Sequence, residues 1–459
     1  MMTLIKKAFA PTVEKQSFFY NSFCVGKAES GRVLGSKESK NCVCIDGVLT
    51  TGFGMADYRT RDALLASMSA LNTKIKQVLP FLYRGNGYTF GENMLVLTQD
   101  SYLYKYVPAT GLFTSLGKCG SSTKMTLAMD ANNEIYAMIC GNAGVWQYNR
   151  LGELVKVSDN ASCGLCVWYA DRLFFVDEPY ALSYTAACEP TKAKKTAAEC
   201  GKIEIASALG RIVALAALKN CLYVFMKRGI LRMHVKDGAE NFSIEEVGYD
   251  GGDIFFDGAV SGSGHILFLA ADGVYLFDGS QAKRVCENMS IEPKREGQEC
   301  SGVFADGYFH LQYLDKSGEK RRLCLSSDGR NGYFAFTVEG LSDGLGKSLF
   351  VYQHSVKNIS MDGTLPSGEG YTFVSEPLSF GSNKRKTLKS LRLFGKGECV
   401  VKVQTENKQK SYSVCFEDGI AMLPIGMRGE QFSLAFELQK GSKITGVQAD
   451  VIRLKNRVR

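Results

Sequence analysis

GHILFLAADGVYLFDGSQAKRV, Gly264 to Val285, is the stretch whose reading decides the fold. His265–Ala270 is an apolar run of strand length, and Ala271-Asp272-Gly273 is a turn. Val274–Phe277 is a second run, Asp278-Gly279-Ser280 a second turn, and a third short run leads to Val285. Two antiparallel hairpins in about twenty residues predict one small radial sheet, and the cadence recurs through the middle of the chain.

Strand-length runs begin near residue 88. They include Asn93–Thr98, Tyr102–Val107, Leu112–Leu116, Met125–Met129, Glu134–Cys140, Val145–Tyr148 and Leu154–Val157. After Leu165–Tyr169, Leu173–Val176 and Ala181–Tyr184, the stretch Pro190–Gly201 interrupts the series and reads as a surface loop. Ile212–Leu218, Cys221–Met226, Ile230–Val235 and Phe242–Val247 resume it, and later runs reach Asn358–Met361. One aromatic-rich run per unit can be aligned: YLYKY at 102, VWQY at 145, ALSY at 181, ILRMH at 230 and VYLF at 274. The steps of 36 to 49 residues match a blade of four strands. One blade cannot bury both faces, whereas blades stacked around an axis can. The expected fold class is therefore all-β, a degenerate propeller of about five to seven blades.

Met361–Gly370, MDGTLPSGEG, is a turn-dense boundary. Beyond it, six or more strands between Tyr371 and Leu454 predict an antiparallel β-sandwich. Before the propeller, Thr60–Leu79 reads as one short N-terminal helix. Leu64, Met68, Leu71, Ile75 and Val78 fall at helical spacing, Thr60 caps it and Pro80 ends it. The expected domains are a 1–60 N-terminal arm, a 61–362 propeller and a 363–459 sandwich. Within the arm, Asn41–Leu49 is a strand pair around Asp46-Gly47, and the segment is read either as a docking arm or as the strand that closes a ring.

The chain has 459 residues, 45% hydrophobic and 22% charged, the balance of a folded protein. Forty-eight glycines against nine prolines, with 27 Phe and 21 Tyr, suit strands and positive-φ turns. No run approaches the roughly 18 apolar residues of a membrane span. The first twenty residues lack the continuous apolar core of a signal peptide, so folding in the cytosol is expected. Fifteen cysteines, mostly inside apolar runs, fit buried thiols in a reducing compartment.

Chemical signatures are sparse. Cys163-Gly-Leu-Cys166 has no second metal-binding pair beside it and reads as structural thiols. His234, His265, His310 and His354 assemble into no catalytic set by spacing. Asp250, Asp253 and Asp257 do not follow a calcium loop and read as an acidic turn. Ser326–Phe334, which resembles an Asp-box, reads as a hairpin turn. No phosphate-binding glycine loop is present. No catalytic residue, cofactor or metal is therefore expected. Net charge is +8, and the basic groups are Lys192, Lys194 and Lys195; Lys320, Arg321 and Arg322; and Lys384, Arg385, Lys386 and Lys389. These are candidate contacts to neighbouring subunits or to nucleic-acid phosphates.

Three stretches together resemble the propeller-bearing tail-nozzle proteins of tailed bacteriophages. They are Asn41–Gly54; AADGVYLFDGSQAKRV, 270–285; and VSEPLSFGSNKRKTLKSLRL, Val374–Leu393, with GKGECVVKVQTENKQKSYSV after it. The resemblance implies a non-enzymatic virion structural protein, located in the virion tail after assembly in the host cytoplasm. It implies a ring-forming homo-oligomer around the DNA channel, with other phage tail or head-to-tail connector proteins and the passing genomic DNA as partners. The alternative from architecture is a propeller with a carbohydrate-binding sandwich, acting in glycan recognition or processing.

Overall fold

The computed structural model describes residues 12–58, 73–84, 90–108, 110, 112–121, 123–159, 161–193, 199–205, 207–235, 242–294, 300–344, 347–353 and 355–455. Lys194, Lys195 and His354 lie outside the described residues. Among those described the chain is all β, apart from a 3-10 turn at Ser207–Leu209, and no helix is long and apolar enough to cross a membrane.

The N-terminal strands are β1 (Thr12–Tyr20), β2 (Ser22–Cys24), β3 (Val33–Lys40), β4 (Cys42–Ile45), β5 (Val48–Thr51) and β6 (Gly54–Asp57). Four-stranded antiparallel meanders follow. The first sheet is β7 (Ile75–Arg84), β8 (Phe90–Thr98), β9 (Tyr102–Val107) and β10 (Leu112–Lys118). The second is β11 (Lys124–Met129), β12 (Ile135–Gly141), β13 (Gly144–Tyr148) and β14 (Leu154–Ser158). The third is β15 (Cys166–Tyr169), β16 (Arg172–Glu178), β17 (Ala181–Tyr184) and β18 (Gly201–Glu204). The fourth is β19 (Ile212–Leu218), β20 (Cys221–Met226), β21 (Gly229–Val235) and β22 (Phe242–Val247). The fifth, the opening stretch, is β23 (Ile254–Ser261), β24 (Ile266–Ala270), β25 (Gly273–Phe277) and β26 (Ala282–Val285). The sixth is β27 (Ser301–Ala305), β28 (Tyr308–Leu314), β29 (Lys320–Ser326) and β30 (Gly332–Ala335). The last comprises β31 (Glu339–Asp343), β32 (Ser348–Tyr352) and β33 (Ser355–Ser360), and takes β6 as its fourth strand.

Each meander buries its faces against its neighbours. Phe81 and Tyr148 join the first sheet to the second, and Val145 and Phe175 the second to the third. Leu182 and Val224 join the third to the fourth, and Phe225 and Phe268 the fourth to the fifth. One core, with Leu267, Phe309 and Phe350, runs from the fifth sheet to the last. Val78 and Leu349 then join the last sheet back to the first. The circuit is the propeller architecture expected from the repeat. The five aligned runs are the third strands of five successive sheets, which is why they align.

The remaining strands are β34 (Tyr371–Ser375), β35 (Lys386–Lys396), β36 (Glu398–Gln404), β37 (Gln409–Cys415), β38 (Ile420–Gly429), β39 (Ser433–Leu438) and β40 (Lys443–Lys455). One sheet runs β38-β35-β40-β5-β4, with β1 also on β40. Another continues from β30 through β3 into β34-β39-β36-β37. The two contribute to one core, containing Phe23, Leu49, Phe373, Leu391, Val401, Ile425, Phe436 and Val447. Thus β1–β5 belong to the sheets of the C-terminal strands, while β6 completes a propeller sheet.

Turn chemistry places these strands. Asp46-Gly47 has φ of 50° and 78°, and Asp306-Gly307 has 51° and 77°. Positive φ at both central positions is the type I′ turn that matches strand twist.

The expected helix at Thr60–Leu79 is corrected at its C-terminal end. Residues 59–72 lie outside the described residues, and from Ile75 the chain is strand β7. A bulge between Ile75 and Gln77 shifts the alternation, so Ile75 and Val78 are both buried, which mimics helical spacing. Pro80 is tolerated because β7 pairs with β8 alone and is an edge strand. The expected surface loop Pro190–Gly201 is also not wholly exposed: Ala193 is buried in the core between the second and third sheets, and Gly201 begins β18.

Candidate functional site: the central channel and the basic residues

The first strands of the meanders surround a central channel. Its lining includes Gln77, Lys124, Trp168, Ala216, Asp257, Val303 and Ser342, and the cavity volume is about 1000 Å³. These strands are irregular where they face it. Bulges interrupt β7, β19, β23 and β31, and Asp257 on β23 has φ of 52°. A bulge re-aims a side chain out of the ladder, so polar groups at these positions reach across to other sheets.

Gln77 and Ser342 on bulged strands, and Gln312 on the regular second strand β28, bond to backbone outside their own sheets. The Gln77 side-chain amide on β7 donates to Met125 O on β11 at 2.8 Å and accepts from Met125 N at 2.7 Å. Gln312 on β28 does the same to Val338, donating to its O and accepting from its N, each at 2.9 Å. Ser342 on β31 accepts from Val78 N at 2.8 Å and donates to Gly340 O at 2.6 Å. Each supplies hydrogen-bond partners where no ladder continues.

Lys124 and Asp257 form an ion pair at 2.6 Å between the second and fifth sheets, which are not neighbours, so the pair crosses the channel. Burial disfavours the Lys124 charge, but Asp257's charge and hydrogen bond outweigh it and raise the pKa above the ordinary lysine value. The other carboxylates of the expected acidic turn are elsewhere: Asp253 pairs with Lys227 at 3.2 Å, and Asp250 is exposed.

The basic residues do not form one surface. Lys192 is exposed beside Glu189 at 2.6 Å. Lys320 borders the channel, and Arg321 pairs with Asp315 at 3.0 Å and Glu319 at 3.1 Å. Lys384, Arg385 and Lys389 are exposed near or on β35. Two members are corrected as contact candidates because they are buried. Arg322 donates from Nε to Phe336 O at 2.6 Å and lies 4.3 Å above that ring. Lys386 donates to the carbonyls of Ser379, Ser382 and Glu430. Burial, then the Arg453 charge, push its pKa below the ordinary lysine value.

His310 is buried, its Nδ1 3.1 Å from Cys324 Sγ and 3.5 Å from Arg322 Nη1. Burial, reinforced by Arg322, holds its pKa well below the ordinary value, so it stays neutral. Cys166 of the C-x-x-C is buried with Cys140, whose thiol pKa is pushed up by a hydrogen bond with Cys166 and by burial. All fifteen cysteines are free thiols. Among the described residues no group of three or more His, Cys, Asp or Glu is placed to hold a metal. The Ser326–Phe334 stretch holds the turn between β29 and β30, with Gly329 at φ of 75°.

Sequence reasoning passed over the roles of Gln77, Gln312 and Ser342. A glutamine inside an apolar strand run, as in FHLQYL at 309–314, is the one signal that marked such a position.

No protein-family model matches the chain, and no curated protein sequence matches it. Among solved structures, it is similar to a selenomethionine-substituted virginiamycin B lyase from Staphylococcus aureus, with TM-score 0.44 and 9% identity, over 67% of this chain and 99% of that one. It is also similar to U3-55K, with TM-score 0.41, and to the WD40 repeats of RRP9, with TM-score 0.40. Each of these is 11% identical over 66% of this chain and 99% of the other.

Proposed function

We propose that this protein is a non-enzymatic structural subunit of a tailed-phage virion, a seven-bladed propeller with a C-terminal β-sandwich that assembles into a ring at the tail nozzle or head-to-tail region. The observation that carries the structural role is the use made of the channel side chains. Gln77 and Ser342 join sheets, Gln312 holds the connection ahead of β31 at Val338, and Lys124 with Asp257 spans the channel. A propeller enzyme keeps convergent polar groups free at its axis to meet a substrate. Here these five hold the scaffold. The weaving of β1–β5 into the C-terminal sheets, with β6 in the propeller, makes both modules one block suited to a ring wall.

The phage assignment rests on the motifs at Asn41–Gly54, 270–285 and Val374–Leu393. DNA passes through the lumen between copies: a cavity of about 1000 Å³ crossed by an ion pair leaves no room for a duplex inside one subunit. Among the described members of the expected basic groups, Lys192, Lys320, Arg321, Lys384, Arg385 and Lys389 are exposed to neighbours or DNA. Gel filtration with light scattering, and cryo-microscopy of purified virions, test the proposal. A ring of defined symmetry found in particles supports it, and a strict monomer absent from particles overturns it.

A further inference from the structure

The fourth sheet carries three groups in a relay. Cys221 opens β20, His234 lies on β21 and Glu245 on β22. Antiparallel register makes the arrangement. Leu222 opposes Met233, which brings Cys221 beside His234, and Arg232 opposes Glu245 one step from that histidine. Cys221 Sγ is 3.3 Å from His234 Nδ1, and His234 Nε2 is 3.3 Å from Glu245 Oε1. Arg232 Nε donates to the same carboxylate oxygen at 2.7 Å and fixes it. A thiol, an imidazole and an orienting carboxylate in sequence are the parts of an activated cysteine.

The sixth sheet provides an internal contrast. Cys324 and His310 repeat the thiol–imidazole contact at 3.1 Å, but both are buried and the third group is the Arg322 guanidinium. A cation beside the imidazole opposes proton uptake by His310. Access differs too. His234 and Glu245 side chains are 39% and 50% exposed, while Cys221 beneath them is buried at 9%. The other groups near the thiol are Tyr223, Arg232 and Tyr169. Tyr223 is tied to Gly279 O at 3.1 Å, and burial, then Cys221, push its pKa up to about 12, so it stays protonated.

We propose that Cys221 is a thiol-modification site, in which His234 held by Glu245 takes the thiol proton and the sulfur forms a mixed disulfide with low-molecular-weight disulfides. The Cys221 thiolate attacks one sulfur of R–S–S–R. A Cys221–S–S–R bond forms, the S–S bond of the reagent breaks, and R–S⁻ leaves and takes up a proton. The reagent is the oxidant, and one disulfide is consumed for each one formed. The low exposure of Cys221 restricts the partner to a small molecule.

The test is to incubate the intact protein with oxidised glutathione at pH 7, quench with acid, and map the modified peptides by mass spectrometry. Cys415, exposed on the C-terminal module, is the ordinary thiol for comparison. The imidazole beside the thiol, oriented by Glu245, predicts that Cys221 reacts about three- to fivefold faster than Cys415. Cys324 is expected to remain unmodified. His234→Gln and Glu245→Gln are expected to slow Cys221 and leave Cys415 unchanged. A Cys221 rate below that of Cys415, or one indifferent to His234→Gln in a variant with an unchanged melting curve, overturns the proposal. If both variants unfold, the order of the two rates in the unaltered protein decides.

Discussion

Gln77 on β7 bonds both backbone groups of Met125 on β11, at 2.8 and 2.7 Å, and so does for two separate sheets what a ladder does within one. Met125 is 2% exposed, which limits the access of water to its backbone groups although it borders the channel. Gln77→Met is therefore expected to cost about 1–3 kcal/mol, the usual penalty for stranding buried backbone groups. Gln312→Met, which strands Val338, is expected to behave alike. Urea midpoints measured against the unaltered protein check both.

Asp257→Asn isolates the charge of the channel-crossing pair, because asparagine tolerates the positive φ at this position. Both side chains keep some contact with solvent, so the coupling to Lys124 is expected to be about 1 kcal/mol and to shrink with salt. A double-mutant cycle with Lys124→Met, run at low and high ionic strength, measures it.

The basic residues separate into two classes by burial. Arg322→Met removes the donor to Phe336 O and the cation over its ring, and is expected to lower stability by about 1–3 kcal/mol. Lys384→Ala with Arg385→Ala is expected to change stability by less than about 0.5 kcal/mol. If these exposed cations meet neighbours or DNA, the same pair weakens assembly without moving the melting curve. Thermal melts alongside ring formation by light scattering distinguish the classes.

A chain lacking residues 1–57 is expected to be insoluble or expanded. It loses β6 from the last propeller sheet and β1–β5 from the C-terminal sheets, and leaves Ile359, Phe373 and Phe436 without their cover. Soluble yield and near-ultraviolet circular dichroism report the outcome.

Acid is expected to erode stability through two turn carboxylates. Backbone N–H groups of Gln281 and Ser280 hold Asp278 down to about 2. Burial alone would raise Asp315, but bonds from Ser317, Arg321 and Glu319 outweigh it and hold it down to about 2 as well. A folded-state pKa below the unfolded value means the unfolded chain binds protons first. The contribution is thus complete above about pH 4 and lost as pH falls toward about 2. Each share is small because both turns meet solvent. Asp278→Asn is expected to flatten the stability profile over that window.

The periodic outer strands and the all-β character were legible in the sequence, because period-two burial and glycine turns are local properties. The strands around the axis were not. β7 reads as a helix, β23 as an acidic turn, and β31 carries too few apolar residues to stand out, because bulges break alternation where side chains turn toward the channel. Likewise Arg322 and Lys386 look like surface charge in a list of basic residues. What decided their burial was the set of carbonyls that other segments bring to them. Local sequence thus determined which residues make sheets and turns. Only tertiary structure decided that β6 completes a propeller sheet and that Cys221 meets His234 and Glu245, since strand pairing and register between distant segments arise from packing that no single stretch encodes.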